Sequence, residues 1–188
     1  FTATASDGSL SASQNITVSI GDVNDAPTAI SLSASAIDEN ASGSIVGTLT
    51  TTDVDAGDTT EYSLSGTDAD SFEVVDGKLK LKSGVSADYE TKTSYSVTVT
   101  VTDSGGLTTS NSFTVSVNNL NDNDPVISSS ASYSADENQT SVGTATATDA
   151  DGDSLTYTIS GTDASDLSIN SSGVITFNSA PDYETKTS

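Results

Sequence analysis

The residues best placed to do chemistry are the oxygen donors of Asn119-Leu120-Asn121-Asp122-Asn123-Asp124-Pro125. Carboxylates and amides alternate there, and the chain contains no His or Cys to supply a nitrogen or sulfur ligand. Such a set selects a hard cation, calcium before others. Pro125 removes an N–H and fixes φ, so the stretch reads as an extended connector and not as a strand interior. A near copy, Asp22-Val23-Asn24-Asp25-Ala26-Pro27, lies upstream. Both read as calcium-binding joints between consecutive β-domains.

The elements around these joints must hold them without disulfides. The chain has 188 residues, 27 of them acidic and 5 basic, for a net charge of −22. All the basic residues are lysines: Lys78, Lys80, Lys82, Lys92 and Lys186. Nucleic acid and anionic membrane surfaces need basic patches and are excluded as partners. An acidic chain with few aromatics raises disorder as the first alternative, but clean alternation along most of the length outweighs it. Bound metal could supply the cross-link that Cys does not. No stretch is long and apolar enough to span a membrane as a helix. The sequence opens within a strand pattern and reads as a piece of something longer.

Acidic landmarks recur in one order. Asp7-Gly8 matches Asp103, Asp38-Glu39-Asn40 matches Asp136-Glu137-Asn138, Asp53-Val54-Asp55 matches Asp149-Ala150-Asp151, and Asp88-Tyr89-Glu90 matches Asp182-Tyr183-Glu184. The period is about 96 residues. It divides the chain into the closing hairpin of a preceding repeat (1–21), a linker (22–27), a complete repeat (28–119), a calcium-binding linker (120–125) and a truncated repeat (126–188).

In the first segment, Phe1, Ala3 and Ala5 alternate, Asp7-Gly8 turns, and Ile16, Val18 and Ile20 alternate again, which predicts a β-hairpin, marginal alone. In the complete repeat, strands are predicted at Ile30–Leu32, at Ile45–Leu49 with a bulge at Gly47, at Tyr62–Leu64 and at Phe72–Val74. Asp76-Gly77 then turns the last of these into Leu79–Leu81. The runs Tyr95–Val101 and Phe113–Val117 alternate without a break. About seven strands predict a two-sheet sandwich. A helical turn is expected within 86–93. The missing strands of the third segment, set against the spare hairpin of the first, suggest head-to-tail strand complementation between chains.

Calcium takes about six to eight oxygens, so several motifs must converge. At the second joint the candidates are Glu39, Asp88 and Glu90 from the complete repeat. The connector adds Asn119, Asn121, Asp122 and the backbone of Leu120 and Asn123, and the next repeat offers Asp149 and Asp151. Alternation puts both carboxylates of Asp88-Tyr89-Glu90 on one side. Plainer readings hold elsewhere. Asp103 taken alone is a turn former, and Asp58 and Asp153 are turn residues with no metal role. Lys78, Lys80 and Lys82 make a solvated edge that deters aggregation, and Tyr62 and Tyr157 are core or cross-strand partners.

Together these signatures resemble cadherin repeats: Glu39, then Asp88 and Glu90, the Asn119–Pro125 connector, Asp149 and Asp151, and Asp103 as the late aspartate. The Thr/Ser/Asp-rich, Cys-free style is similar to the cadherin-like repeats of large bacterial surface and secreted proteins. The resemblance implies an all-β chain of tandem Ig-like Greek-key sandwiches with up to about three calcium ions per complete joint. It implies that Glu39, Asp88, Glu90 and Asp122 hold the two ions nearest the complete repeat, with Asp151 bridging. Asn121, Asn123, Asp149 and Asp151 would form the third site. At the first joint it leaves Asn24, Asp25, Asp53, Asp55 and Asp103, a partial set on a connector one residue shorter. Asn119 stands where the pattern has aspartate, and Tyr89 and Tyr183 where it has a basic residue.

The function these readings imply is a calcium-rigidified spacer or adhesion stalk of an extracellular or cell-surface protein. Its partners would be neighbouring repeats and other copies of itself, homophilic adhesion included. The alternative is a calcium-dependent carbohydrate-binding module with cell-surface polysaccharide as partner, which the absence of Trp platforms disfavours. An enzyme is not expected: without His or Cys the usual nucleophile–base pairs are missing, and the acids recur at joints and not in a cleft.

Overall fold

In the first segment β1 (Thr2–Ser6) and β2 (Ser11–Asn15) form an antiparallel hairpin with Thr2 opposite Asn15 and Ser6 opposite Ser11. The computed structural model that shows this describes residues 1–55 and 57–185, so the end of the expected third segment, residues 186–188, lies outside the described residues. The second strand differs from the expectation. The Asp7 carboxylate accepts the N–H groups of Ser9 and Leu10 and closes a tight turn. That turn starts the strand on the polar run Ser11–Asn15, Ile16 continues the ladder by exchanging backbone hydrogen bonds with Phe1 (2.7 and 3.0 Å), and Val18 and Ile20 lie beyond the assigned strand.

Residues 29–118 build a two-sheet sandwich. Its strands are β3 (Ala29–Leu32), β4 (Ala36–Asp38), β5 (Ile45–Thr52), β6 (Glu61–Ser65), β7 (Phe72–Val75), β8 (Lys78–Leu81), β9 (Ser94–Thr102) and β10 (Thr108–Asn118). One sheet has the order β4-β10-β9-β6, the other β3-β5-β8-β7. Strict alternation makes the core. On β9, Tyr95, Val97, Val99 and Val101 point inward with Thr and Ser between them, and on β8 Leu79 and Leu81 are fully buried between lysines. Phe72 packs edge-on against Tyr95, ring centroids 5.6 Å apart, an arrangement that aromatic quadrupoles favour. Tyr62 shares a 2.8 Å hydroxyl hydrogen bond with Thr51 and so ties one sheet to the other.

The β7–β8 turn has both central residues in the left-handed region, Asp76 at φ 51° and Gly77 at φ 70°, as the right-handed twist of a two-residue hairpin requires. That hairpin corrects the lysine reading. β8 lies between β5 and β7, so Lys78 and Lys80 stand on the outer face of an interior strand, and Lys80 pairs with Glu73 at 3.2 Å. Strand β4 was not anticipated. It is three residues long, contributes the single core residue Ile37, and pairs parallel to the end of β10. The turn expected within 86–93 is present as a Lys92 N–H to Asp88 carbonyl bond of 2.8 Å, while the single-turn 3₁₀ helices lie at Ala69–Ser71 and Ala164–Asp166.

The β5–β8 register shifts between Ile45 and Gly47, the bulge the sequence predicted. A Cβ on Gly47 would stand 2.9 Å from the Ala34 backbone nitrogen and from the Ser33 hydroxyl. Gly47→Ala is therefore expected to destabilise the chain by about 1–3 kcal/mol, the usual cost of forcing atoms into a packed site. Urea unfolding checks this, and an unchanged midpoint would mean that the 33–34 backbone moves aside freely.

Downstream, β11 (Val126–Ile127), β12 (Ser141–Thr144), β13 (Ala147–Thr148), β14 (Leu167–Ile169) and β15 (Val174–Phe177) repeat the first half of this plan. β11 pairs with β13, and β12-β15-β14 echoes β5-β8-β7, with a register shift before Gly143 as before Gly47. Among the described residues no helix is long and apolar enough to cross a membrane.

Candidate metal centre

Glu39 is the anchor of the second joint. Only 2% of it is exposed, which for a carboxylate demands partners. Oε2 accepts the Tyr89 N–H and Oε1 accepts the Leu120 N–H, both at 2.7 Å. One side chain thereby fixes the Asp88–Glu90 loop and the start of the connector together. The following residue makes this possible: Asn40 takes φ 65°, a left-handed conformation that Asn tolerates better than most side chains, and its amide reaches Asp122.

One oxygen from each of Glu39, Asp88 and Glu90 lies within 4.8 Å of the other two. The same holds for Glu90, Asp122 and Asp151, which come from the sandwich, the connector and the downstream segment. Asp151 binds the connector directly. Its carboxylate accepts the N–H groups of Asp122 (3.1 Å) and Asn123 (2.8 Å) and the Asn123 side-chain amide (2.9 Å). Asn119 donates to the Asp151 carbonyl at 2.8 Å, and Asn121 bonds Asp153. Asp149 stands beside these groups, accepting the Asp153 N–H at 3.3 Å, but joins neither cluster.

The electrostatics show the crowding. Desolvation pushes the Glu90 carboxyl up, and repulsion from Glu39 and Asp151 adds to it. The Asn123 amide beside Asp151 holds that carboxyl below its usual range, with the N–H groups of Asn123 and Asp122 helping. Among the described residues the ion pairs are Lys80–Glu73 and Lys92–Asp68, so no lysine is paired with these acids.

The first joint is built by a different set. Asp55 accepts the Asp25 N–H at 2.6 Å, as Asp151 does for its own connector. Asn24 donates its amide to Asp103 at 3.0 Å, passing over Gly105, where a Cβ would collide with it. Asp103 is buried. Burial raises its carboxyl, but the Asn24 amide and the N–H groups of Leu107, Gly105 and Gly106 outweigh that and hold it below the usual range. Asp53, Asp58 and Asp103 form a third close cluster. Asp58, read from sequence as a turn residue alone, is thus brought to the predicted site residues Asp53 and Asp103, while Asp25 and Asp55 lie outside the cluster. A fourth cluster, Glu137, Asp182 and Glu184, repeats the Glu39 arrangement in an exposed setting, with the Tyr183 N–H on Glu137 at 3.2 Å. Carboxylates converging without paired lysines, some with buried oxygens lacking any hydrogen-bond partner, fit a hard divalent cation.

Residues 33–118 match the cadherin domain family. Among solved structures the chain is similar to mouse cadherin-23 EC22-24, at 27% identity over 97% of this chain and 64% of that one, TM-score 0.73. It is also similar to human protocadherin-24 EC1-2, at 25% identity over 87% of this chain and 82% of that one, TM-score 0.66. Chicken VE-cadherin EC1-2 is 26% identical over 80% of this chain and 82% of that one, TM-score 0.61. The fold is cadherin-like. No curated protein matches the sequence. The cadherin-domain match contains Glu39, Asp88, Glu90 and Asp103, and the connector that meets Asp151 begins just past its end.

Proposed function

We propose that this chain is a calcium-binding cadherin-like repeat region that serves as a calcium-stiffened spacer or adhesion stalk in a larger extracellular protein. The observation that carries the reading is the Glu90–Asp122–Asp151 cluster, in which three separate segments bring carboxylates within 4.8 Å of one another. Carboxylates so placed repel, and a divalent cation held among them neutralises that charge and ties the segments together. Glu39, Asp88, Glu90, Asp122 and Asp151, with Asn121, Asn123 and Asp149 beside them, are the residues that would hold it. The first joint would use Asn24, Asp25, Asp53, Asp55 and Asp103. On this reading the sandwich is one complete repeat joined to partial repeats on either side, and the Thr/Ser/Asp-rich, Cys-free composition suits a large bacterial surface or secreted protein.

Small-angle scattering across a calcium titration tests the proposal. The maximum dimension should rise and the distance distribution sharpen as calcium passes through roughly 10⁻⁴ to 10⁻³ M, the range of extracellular calcium modules. EGTA should reverse the change. A scattering curve indifferent to calcium would remove the stiffening role.

A further inference from the structure

We propose that Lys92 is a positioning residue for the second joint: held between the Asp68 carboxylate and the Tyr95 ring, it fixes the turn that presents Asp88 and Glu90 to the cation, without touching the cation itself. The inference rests on the calcium reading above and extends it to residues outside the acidic clusters. Asp88 and Glu90 stand on the loop between β8 and β9. Backbone bonds pin that loop near both ends, Asn40 N–H to the Ala87 carbonyl and Val117 N–H to the Thr93 carbonyl, each 2.9 Å. Between the pins the chain makes one closed turn. The Lys92 N–H meets the Asp88 carbonyl at 2.8 Å, and Thr91 gives its N–H (3.0 Å) and its hydroxyl (2.9 Å) to the two Asp88 carboxylate oxygens. Whatever fixes Lys92 therefore fixes the orientation of Asp88, and with it the Glu39–Asp88–Glu90 cluster.

The Lys92 side chain is held from two sides. Its ammonium donates to Asp68 Oδ1 and lies 4.8 Å from the centroid of the Tyr95 ring, within cation–π range. Neither partner moves freely. The Asp68 side chain is only 13% exposed, its Oδ2 accepts the Ser96 N–H at 2.8 Å, and its own N–H meets the Ser96 carbonyl at 3.2 Å. Tyr95 is a core residue packed against Phe72. A lysine–carboxylate pair contributes little when both side chains are loose; here the carboxylate and the ring are set in advance. The Lys92 bond in turn holds the Asp68 carboxyl below its usual range, with the Ser96 N–H adding to that. The sequence repeats both halves of the device: Gly-Thr-Asp-Ala at 66–69 and 161–164, and Asp-Tyr-Glu-Thr-Lys-Thr-Ser at 88–94 and 182–188. Coulomb's law alone gives the opposite expectation, because a positive charge on the same turn as a cation site weakens that site. The two accounts therefore differ in sign when the lysine charge is removed.

The test is calcium titration of the full chain and of its Lys92→Met, Lys92→Arg and Asp68→Asn variants. Binding is read by NMR at the backbone amides of Tyr89 and Leu120, which Glu39 holds, and melting in EGTA is recorded for each protein. Lys92→Met should raise the second-joint dissociation constant roughly tenfold, the lower end of what loss of a ligand-supporting group costs. The constant read at Asp25 of the first joint should stay that of the parent. Asp68→Asn keeps an oxygen for the Ser96 N–H and should weaken second-joint binding in the same direction. Lys92→Arg can still reach Asp68 and stack on Tyr95, so it should restore the constant to within about threefold of the parent's. The double variant Lys92→Met/Asp68→Asn should bind no more weakly than Lys92→Met, since the pair acts as one unit. An unchanged or tighter constant in Lys92→Met overturns the proposal. A lower melting temperature in EGTA with calcium affinity intact overturns it too, because that marks a structural prop. If the parent's own Tyr89 and Leu120 signals do not respond to calcium, the calcium reading falls as well; if they respond and Lys92→Met matches the parent, the positioning role falls alone.

Discussion

Glu39→Ala is expected to lower stability by about 2–4 kcal/mol in chelator and to remove most of the calcium dependence of the melting temperature. The first effect follows from burial. Glu39 is almost fully enclosed and satisfies the Tyr89 and Leu120 N–H groups, each at 2.7 Å. Deleting the carboxylate leaves both donors without it, at about 1–3 kcal/mol for each that water cannot reach. The second effect follows from the cluster, because one Glu39 oxygen lies within 4.8 Å of an oxygen of Asp88 and one of Glu90. Glu39→Gln separates the two. Its amide keeps one acceptor but turns an N–H toward the other donor, so it should cost less in chelator yet flatten the calcium response as fully. Glu137→Ala is the control: the motif is the same, but Glu137 is exposed and bonds Tyr183 at a longer 3.2 Å. Its cost should be a small fraction of that at Glu39. Denaturant unfolding with and without calcium measures all of these. A Glu39→Gln protein with an undiminished calcium response would show that Glu39 is a structural clasp and not a ligand.

What could be read in advance follows from the range of the interactions involved. Alternation is local, so β5 to β10 were legible from Ile45, Leu64, Phe72, Leu79, Val97 and Val115, and with them the two-sheet core. Strand β4 was not, since its pairing depends on where the distant Asn118 end of β10 comes to lie. The second hairpin strand starts earlier than the apolar alternation at Ile16–Ile20 suggested, because the Asp7 turn sets the register from Ser11 onward. The lysines of β8 looked like an edge because the Asp76-Gly77 turn announces β7 on one side, while no local signal says that the distant β5 pairs along the other. At the site, Glu39, Asp88, Glu90, Asp122 and Asp151 showed their convergence in repeat position and spacing. Asp58 did not. Its significance comes from Asp53, Asp103 and Ser104, and the last two lie over forty residues away in sequence, brought near by β6 pairing with β9.

Asp151→Ala is expected to uncouple the connector from the downstream segment even in saturating calcium. This side chain ties the downstream segment to both the connector and the sandwich. It receives the backbone of Asp122 and Asn123 and the Asn123 amide, and its carboxyl meets Glu90 of the sandwich. Those bonds hold the connector against the downstream segment, and the carboxylate also contributes charge to the Glu90–Asp122 cluster. Its removal therefore takes away a mechanical link and a ligand together. Calcium affinity at the second joint should fall by at least about ten- to a hundredfold, the loss already typical when only a group supporting a ligand is removed. The scattering profile at high calcium should then be at least as broad as that of the parent chain in EGTA, which keeps the Asp151 hydrogen bonds. Asp151→Asn tells the two contributions apart. An asparagine keeps an oxygen for the Asp122 and Asn123 N–H groups but lacks the charge, so the joint should give the parent's scattering profile at zero calcium and still fail to stiffen on titration. Were Asp151→Asn to stiffen like the parent, hydrogen bonding through Asp151 and not cation capture would be what orders the joint.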